Sequence, residues 1–212
     1  MNALPLHHDL YLIAHDQSGR PLIHLSSMSL GLAGAVLLDL ALGGRVAVAE
    51  GQAAATRRAP TGDAIADGLV SSLLRHRAGR QLRYLVKKTA DGIHDRTREA
   101  LLGSGVLVQV SGRRLGVLPY TRYEPADIAS VVRASAGARS AVEGWKQPDA
   151  RCAALCGLVA VLRLDAELYL DQPSARLVGR LREIARDSSP VVGEVVTVVD
   201  ALVGEAAVAV YR

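Results

Sequence analysis

Apolar and polar positions change period several times along the 212-residue chain, and the changes mark its elements. Leu10 to His15 is an apolar run that fits a helical turn or a short strand, and Asp16 to Pro21 behind it is turn chemistry. From Leu30 to Leu42 almost every position is apolar or small. That predicts a buried helix with Ser29 as its cap and Gly43 and Gly44 as its stop. Arg45 to Ala49 alternates and suits a short strand, while Gln52 to Ala59 reads as a polar loop. Thr61 or Asp63 caps a helix whose apolar positions are Ile65, Leu69, Val70, Leu73 and Leu74. Arg75 to Lys88 then predicts a basic amphipathic segment. Leu74, Ala78, Leu82 and Leu85 make one face, and His76, Arg80, Arg83 and Lys87 make another.

Asp91 is the expected cap of a helix from Ile93 to Leu102. The clearest strand signal follows. Val106 to Val110 and Leu115 to Leu118 flank the polar turn Ser111, Gly112, Arg113, Arg114, which reads as a β-hairpin. Pro119 and Pro125 bracket a loop, and Pro125 starts a helix that continues past Trp145 to Asp149. Asp149 caps an apolar helix from Ala150 to Leu164, another runs from Pro173 to Arg186, and the last lies within Val191 to Val210. No internal repeat and no long linker divides the chain. The pattern predicts a mainly α fold, a single-domain helical bundle over residues 1–212, with one β-hairpin.

Composition narrows this picture. Half of the residues are apolar, but there is no phenylalanine and a single tryptophan, so leucine, valine and alanine must fill the core. The bias toward Ala, Gly, Val and Arg matches a GC-rich bacterial genome. A net charge of +4 and pI near 9.3 are compatible with an anionic partner without demanding one. Cys152 and Cys156 share one helical face and read as buried structural thiols, which suits a reducing cytoplasm. The opening residues lack the basic start and long apolar core of a secretory signal. The apolar stretch from Leu25 to Leu38 falls short of a membrane span, so membrane contact is expected to be peripheral.

Catalytic motifs are not evident: the chain carries no G-x-S-x-G elbow, phosphate loop, dinucleotide fingerprint or H-E-x-x-H. His7 and His8 beside Asp9 offer a base and its orienter, against the plainer reading of solvated residues near the N-terminus. An enzyme would gain support if His7, His8 and His15 lined one cleft. Asp165, Glu167 and Asp171 read as surface charge at a helix end. The histidines offer no companion pair at metal-ligand spacing, so neither metal nor cofactor is expected. The stripe His76, Arg80, Arg83, Lys87, thickened by Arg75, Arg77 and Lys88, is the notable charge cluster. It reads either as a solvated helix face or as a surface for an anionic membrane. Nucleic acid is not expected, because Tyr84 is the one ring near the stripe.

Several segments in order carry a family likeness. They are Leu4 to Leu12, Gly31-Leu32-Ala33-Gly34, Asp39-Leu40-Ala41-Leu42-Gly43-Gly44-Arg45, Pro60-Thr61-Gly62-Asp63, Gly105-Val106-Leu107 and Val142-Glu143-Gly144-Trp145. In order and spacing they resemble the Golgi phosphoprotein 3 family. The resemblance implies a mostly helical domain with a protruding hairpin that mediates self-association. It also implies a surface pocket, made by a tryptophan and three arginines in eukaryotic members, that binds phosphatidylinositol 4-phosphate. By ungapped counting, the tryptophan position falls on His24 and one arginine position on Ala33. The other two fall near Asp91 and His94, with Arg96 and Arg98 close behind. Histidine and alanine cannot reproduce the two-pronged contact of a guanidinium with phosphate.

The expectation is therefore a non-enzymatic, cytoplasmic, peripheral membrane protein that binds phosphatidylinositol 4-phosphate or another anionic lipid headgroup. Its candidate headgroup residues are His24, His94, Arg96, Arg80, Arg83 and Lys87. The alternative is a soluble oligomeric scaffold that keeps the fold without the lipid site. In either case the hairpin residues Ser111, Gly112, Arg113 and Arg114 are the candidate contact with a second copy or with the membrane.

Overall fold

A core without phenylalanine is filled by bringing helices close together, and the central helix α2 (Leu25–Leu42) does this through glycine. A Cβ added at Gly31 would lie 2.6 Å from Leu162 Cδ1, and one at Gly34 would lie 2.5 Å from Val199 Cγ2. Those partners belong to α7 (Ala150–Leu162) and to α9, the carboxyl-terminal helix Pro190–Val210. The computed structural model describes residues 4–75, 79–114 and 118–210. Around α2 pack α1 (Leu6–Ile13), α7, α9 and α4 (Leu82–Ala90), while α8 (Ser174–Arg186) lies against α7 and α9. The fold is mainly α, as the apolar pattern requires.

Helix α2 begins at Leu25 with His24 at its N-cap, a turn earlier than the Ser29 cap predicted. Full burial of Met28 holds that first turn on the core without a side-chain cap. Its 18 residues are long and apolar enough to cross a membrane, although Leu25–Leu38 alone falls short of that length. Here the helix is enclosed by other helices instead.

Two short segments depart from expectation for one reason. Glu50 and Gly51 both take positive φ, 53° and 74°, which makes a two-residue turn between β1 (Val46–Ala49) and β2 (Gln52–Ala55). Gln52 to Ala55 is therefore a strand and not a loop, with Ala53 buried. Beyond α3 (Ala64–Leu74), Gly79 also takes positive φ, and Arg80–Gln81 forms β3 against β2. The proposed continuous basic helix from Arg75 to Lys88 is thus broken. Leu82 and Leu85 are buried but Leu74 is half-exposed, and His76, Arg77 and Ala78 lie outside the described residues.

Helix α5 (Ile93–Gly103) is entered through Gly92 in the left-handed region, with no side-chain cap from Asp91. The hairpin is longer than predicted. β4 (Leu107–Arg114) and β5 (Leu118–Pro125) pair in register from Leu107 opposite Pro125 to Arg114 opposite Leu118. Ser111 to Arg114 are strand residues and not a turn. Pro119 and Pro125 lie in β5 and not in a loop. Leu115, Gly116 and Val117 of the second predicted strand lie outside the described residues. Gly112 faces Tyr120, whose ring fills the space a side chain would take. The hairpin's base meets the body at α5 and α6 (Ile128–Val142), and the Tyr123 backbone lies against Gly19.

Helix α6 ends at Val142 because Gly144 turns left-handed, which leaves Trp145 outside the helix and 77% exposed. Asp165, in a short 3₁₀ turn, is buried and accepts a hydrogen bond from Ser174 Oγ at 2.6 Å, so it is not surface charge. Cys156 is buried and Cys152 half-buried, both in thiol form.

Glycine positions give a paired test. Gly68, exposed in the middle of α3, has nothing within 4 Å of an added Cβ. Gly68→Ala is expected to stabilise by about 0.5–1 kcal/mol through helix propensity. Gly34→Val is expected to destabilise by about 2 kcal/mol or more through overpacking against Val199. Urea unfolding midpoints of the two variants check both signs.

Candidate functional site

Asp39 in α2 and Arg151 in α7 fix where helix α1 lies. Pro5 cannot cap α1 with its side chain, so the first free N–H, that of Leu6, donates to Asp39 Oδ2. Arg151 then joins three segments. Its guanidinium donates to Asp39 Oδ1 at 2.6 Å, to Asp9 Oδ2 at 2.8 Å and to the Leu4 carbonyl. Burial pushes the Asp9 carboxyl up to about 6, a shift that Arg151 opposes. The same burial raises Asp39.

At the amino end of α1, His7 and His8 are buried and not solvated, which corrects that reading. Their rings meet edge to face at 4.4 Å between centroids. Burial first, and His8 next, bring His7 down to about 4, and burial also lowers His8. The Pro60–Asp63 segment brings a carboxylate to them. Thr61 donates from its N–H and hydroxyl to Asp67 Oδ1 at 2.7 and 2.8 Å. Asp63 caps α3 by accepting from the Ala66 N–H at 2.7 Å, and its second oxygen lies 3.4 Å from His7 Nε2.

At the other end of α1, Tyr11 stacks on His15 at 3.9 Å between centroids. His15 Nδ1 is 2.7 Å from the Tyr11 carbonyl, which can only accept, so the proton sits on Nδ1. A neutral His15 therefore accepts at Nε2 from His94 Nε2, 3.2 Å away. His94 Nδ1 faces Asp95 Oδ1 at 3.1 Å. His94 thus bridges Asp95 and His15 through its two ring nitrogens. Arg98 lies 3.0 Å from the same carboxylate and stacks over Tyr123 at 4.5 Å. Sequence reasoning gave His94 but missed Tyr11, His15 and Arg98 as its neighbours. Arg98 was within reach, two residues beyond Arg96.

The remaining candidates are dispersed. His24 is exposed at the start of α2. Arg96 folds back to donate to the Thr89 and Asp91 carbonyls at 3.2 and 2.9 Å. Arg83 and Lys87 both pair with Glu205 of α9, Lys87 at 3.7 Å. Arg80 and Lys88 flank the Tyr84 ring at 5.3 and 5.8 Å from its centroid. Arg80 belongs to β3, so it does not share a helical face with Arg83 and Lys87 as predicted. Arg113 lies in β4, while the side chain of Arg114 falls outside the described residues. His7 and His15 line different clefts, which removes the condition set for an enzyme.

The family model of Golgi phosphoprotein 3 (GPP34) matches residues 6–202. This chain belongs to the Golgi phosphoprotein 3 family. No curated protein matches its sequence. The Golgi phosphoprotein 3 match spans every element built above, from α1 to most of α9.

His15 provides a pH test. Burial above all brings its pKa down to about 4 in the folded chain, against 6.5 for a solvated imidazole. Folding thus favours the neutral ring, so its contribution is full above pH 6.5 and is lost as pH falls toward 4. The loss is on the order of 3 kcal/mol. His15→Asn keeps a donor to the Tyr11 carbonyl and cannot titrate. The stability advantage of the parent chain over this variant should shrink between pH 7 and pH 4.5 in urea unfolding. A constant gap would contradict the assignment.

Proposed function

We propose that this chain is a peripheral, non-enzymatic binder of anionic lipid headgroups, with phosphatidylinositol 4-phosphate the headgroup that its family suggests. The observation that carries the reading is the family match across residues 6–202. The surface chemistry agrees with it. Arg83 and Lys87 share Glu205 as counter-charge, so the exposed group keeps a net positive charge, and Lys88 sits beside them on the last turn of α4. Near the start of α5, the guanidinium of Arg96 adds cationic charge, with the His94 ring on the same turn. His24, His94 and Arg96 would meet the headgroup, and Arg80, Arg83 and Lys87 the surrounding anionic surface. Residues 1–212 would act as one domain at the cytoplasmic face of a membrane.

This site differs in kind from an arginine pocket. Arg96 spends hydrogen-bond donors on backbone carbonyls, and both ring nitrogens of His94 are already engaged by His15 and Asp95. Charge attraction should therefore outweigh headgroup geometry, and binding should weaken with salt.

A second reading rests on the hairpin. Among the described residues, β4 and β5 pair only with each other, and Val108 is 43% exposed, so the outer edges are open to a second copy. On this reading the chain is an oligomeric scaffold.

Two measurements decide. Vesicles of phosphatidylcholine with anionic lipid should co-sediment the protein at low salt, less at high salt, and not without anionic lipid. Arg83→Gln with Lys87→Gln should weaken binding about tenfold. Failure to bind at any salt concentration overturns the lipid reading. Residues Val110 and Arg122 are directly opposed, so replacing 111–121 by Asn-Gly closes a short hairpin. Light scattering should then give a lower mass than the parent chain if the hairpin holds an oligomer.

A further inference from the structure

The first turn of α1 holds polar atoms that the other described residues do not satisfy. His7 and His8 are 1% and 6% exposed, and their four ring nitrogens have no hydrogen-bond partner among the described residues. Buried polar atoms are nearly always paired, so four such nitrogens on adjacent side chains call for a ligand. Successive helix residues point about 100° apart, yet these two rings converge at 4.4 Å.

Asp63 completes the arrangement. One oxygen is committed to the Ala66 N–H, and the other faces His7 Nε2 at 3.4 Å, too long for a hydrogen bond. One ligand atom each from His7, His8 and Asp63 lies within 4.8 Å of the other two. Ligands of a tetrahedral zinc ion sit about 3.3 Å apart when its bonds are about 2.0–2.1 Å. The His7–Asp63 pair already has that spacing, and χ rotation brings in His8.

We propose that His7, His8 and Asp63 form a binding site for a divalent transition-metal ion of the zinc class. Two imidazoles and one carboxylate are donors suited to such ions and poorly suited to magnesium or calcium. Both rings are held uncharged by burial, the form that offers a lone pair. The carboxylates of Asp9, Asp39 and Asp63 outnumber the guanidiniums of Arg151 and of Arg45, which lines the same cleft, so the surrounding field favours a cation. A cleft of about 270 Å³, lined by His7, Asp63, Asp39 and Arg151, gives access from solvent. A bound ion ties the first turn of α1 to the N-cap of α3. The proposal is independent of lipid binding.

The test uses the full chain, stripped with a chelator and titrated with Zn²⁺ or Co²⁺ alone. One ion per chain is expected, with visible Co²⁺ absorption of four-coordinate intensity and a melting temperature raised by Zn²⁺. Asp63→Asn retains an oxygen for the α3 cap and loses the anionic ligand, so affinity should fall at least tenfold. His7→Gln should abolish stoichiometric binding, and Cys152→Ser should leave it unchanged. Circular dichroism establishes that each variant is folded. Should His7→Gln fail to fold, Asp63→Asn decides. Absence of a stoichiometric ion at micromolar metal, or equal affinity in folded Asp63→Asn, overturns the proposal.

Discussion

The close approach of α2 to α7 and α9 sets the geometry on which the other elements depend. Dispersion and burial reward contact, but leucine, valine and alanine leave gaps unless backbones come near one another. Gly31 and Gly34 admit Leu162 and Val199 to the surface of α2, and Gly157 does the same for Val196 from the α7 side. With those contacts made, α2 is enclosed, and its mostly apolar 18 residues serve a core in place of a bilayer. A phenylalanine-rich core would need fewer such contacts. This one has no bulky aromatic to spare, and Trp145 is on the surface.

A second constraint sits on top of the first. Asp39 projects from α2 toward α1 and Arg151 from α7, so their meeting depends on the packing of those helices. Removing one member of a partly buried ion cluster leaves the others desolvated without a partner, which costs more than the intact cluster contributes. The Asp9–Arg151–Asp39 group therefore acts on register more than on net stability. It fixes α1 along its axis, and α1 carries histidines at or just beyond both of its ends.

The sequence made the helical framework legible because its signals are local. Asp63, Asp127 and Asp149 each accept a hydrogen bond from a backbone N–H three residues on, the relation that a side-chain cap encodes. Asp127 stands two residues after Pro125, whose place proved to be the last of a strand. Three kinds of feature were not legible. Short strands such as Gln52–Ala55 and Arg80–Gln81 gain their identity from a partner distant in sequence. Burial of His7, His8 and Asp165 depends on neighbours that local polarity does not report. Convergence of Asp63 with His7, or of His15 with His94, is a property of helix packing alone. The tetrapeptide Pro60–Asp63 was visible as a family segment, but its effect, aiming one carboxylate oxygen at α1, required the fold.

These features divide the titratable chemistry of α1 by sign. At its amino end, buried neutral imidazoles sit with Asp63, near Asp9 and Asp39, in a setting that attracts cations. Just past its carboxyl end, the hydrogen-bond chain from the Tyr11 carbonyl runs through His15 to His94, and the guanidinium of Arg98 stands close by. A helix of eight residues is about 12 Å long, so both settings lie within a short span of a single rigid element. Salt screening acts strongly on the exposed arginines and lysines and weakly on the buried histidines. The two regions should thus answer to different variables, the cationic surface to ionic strength and the amino end of α1 to metal concentration, while α2 holds both in place.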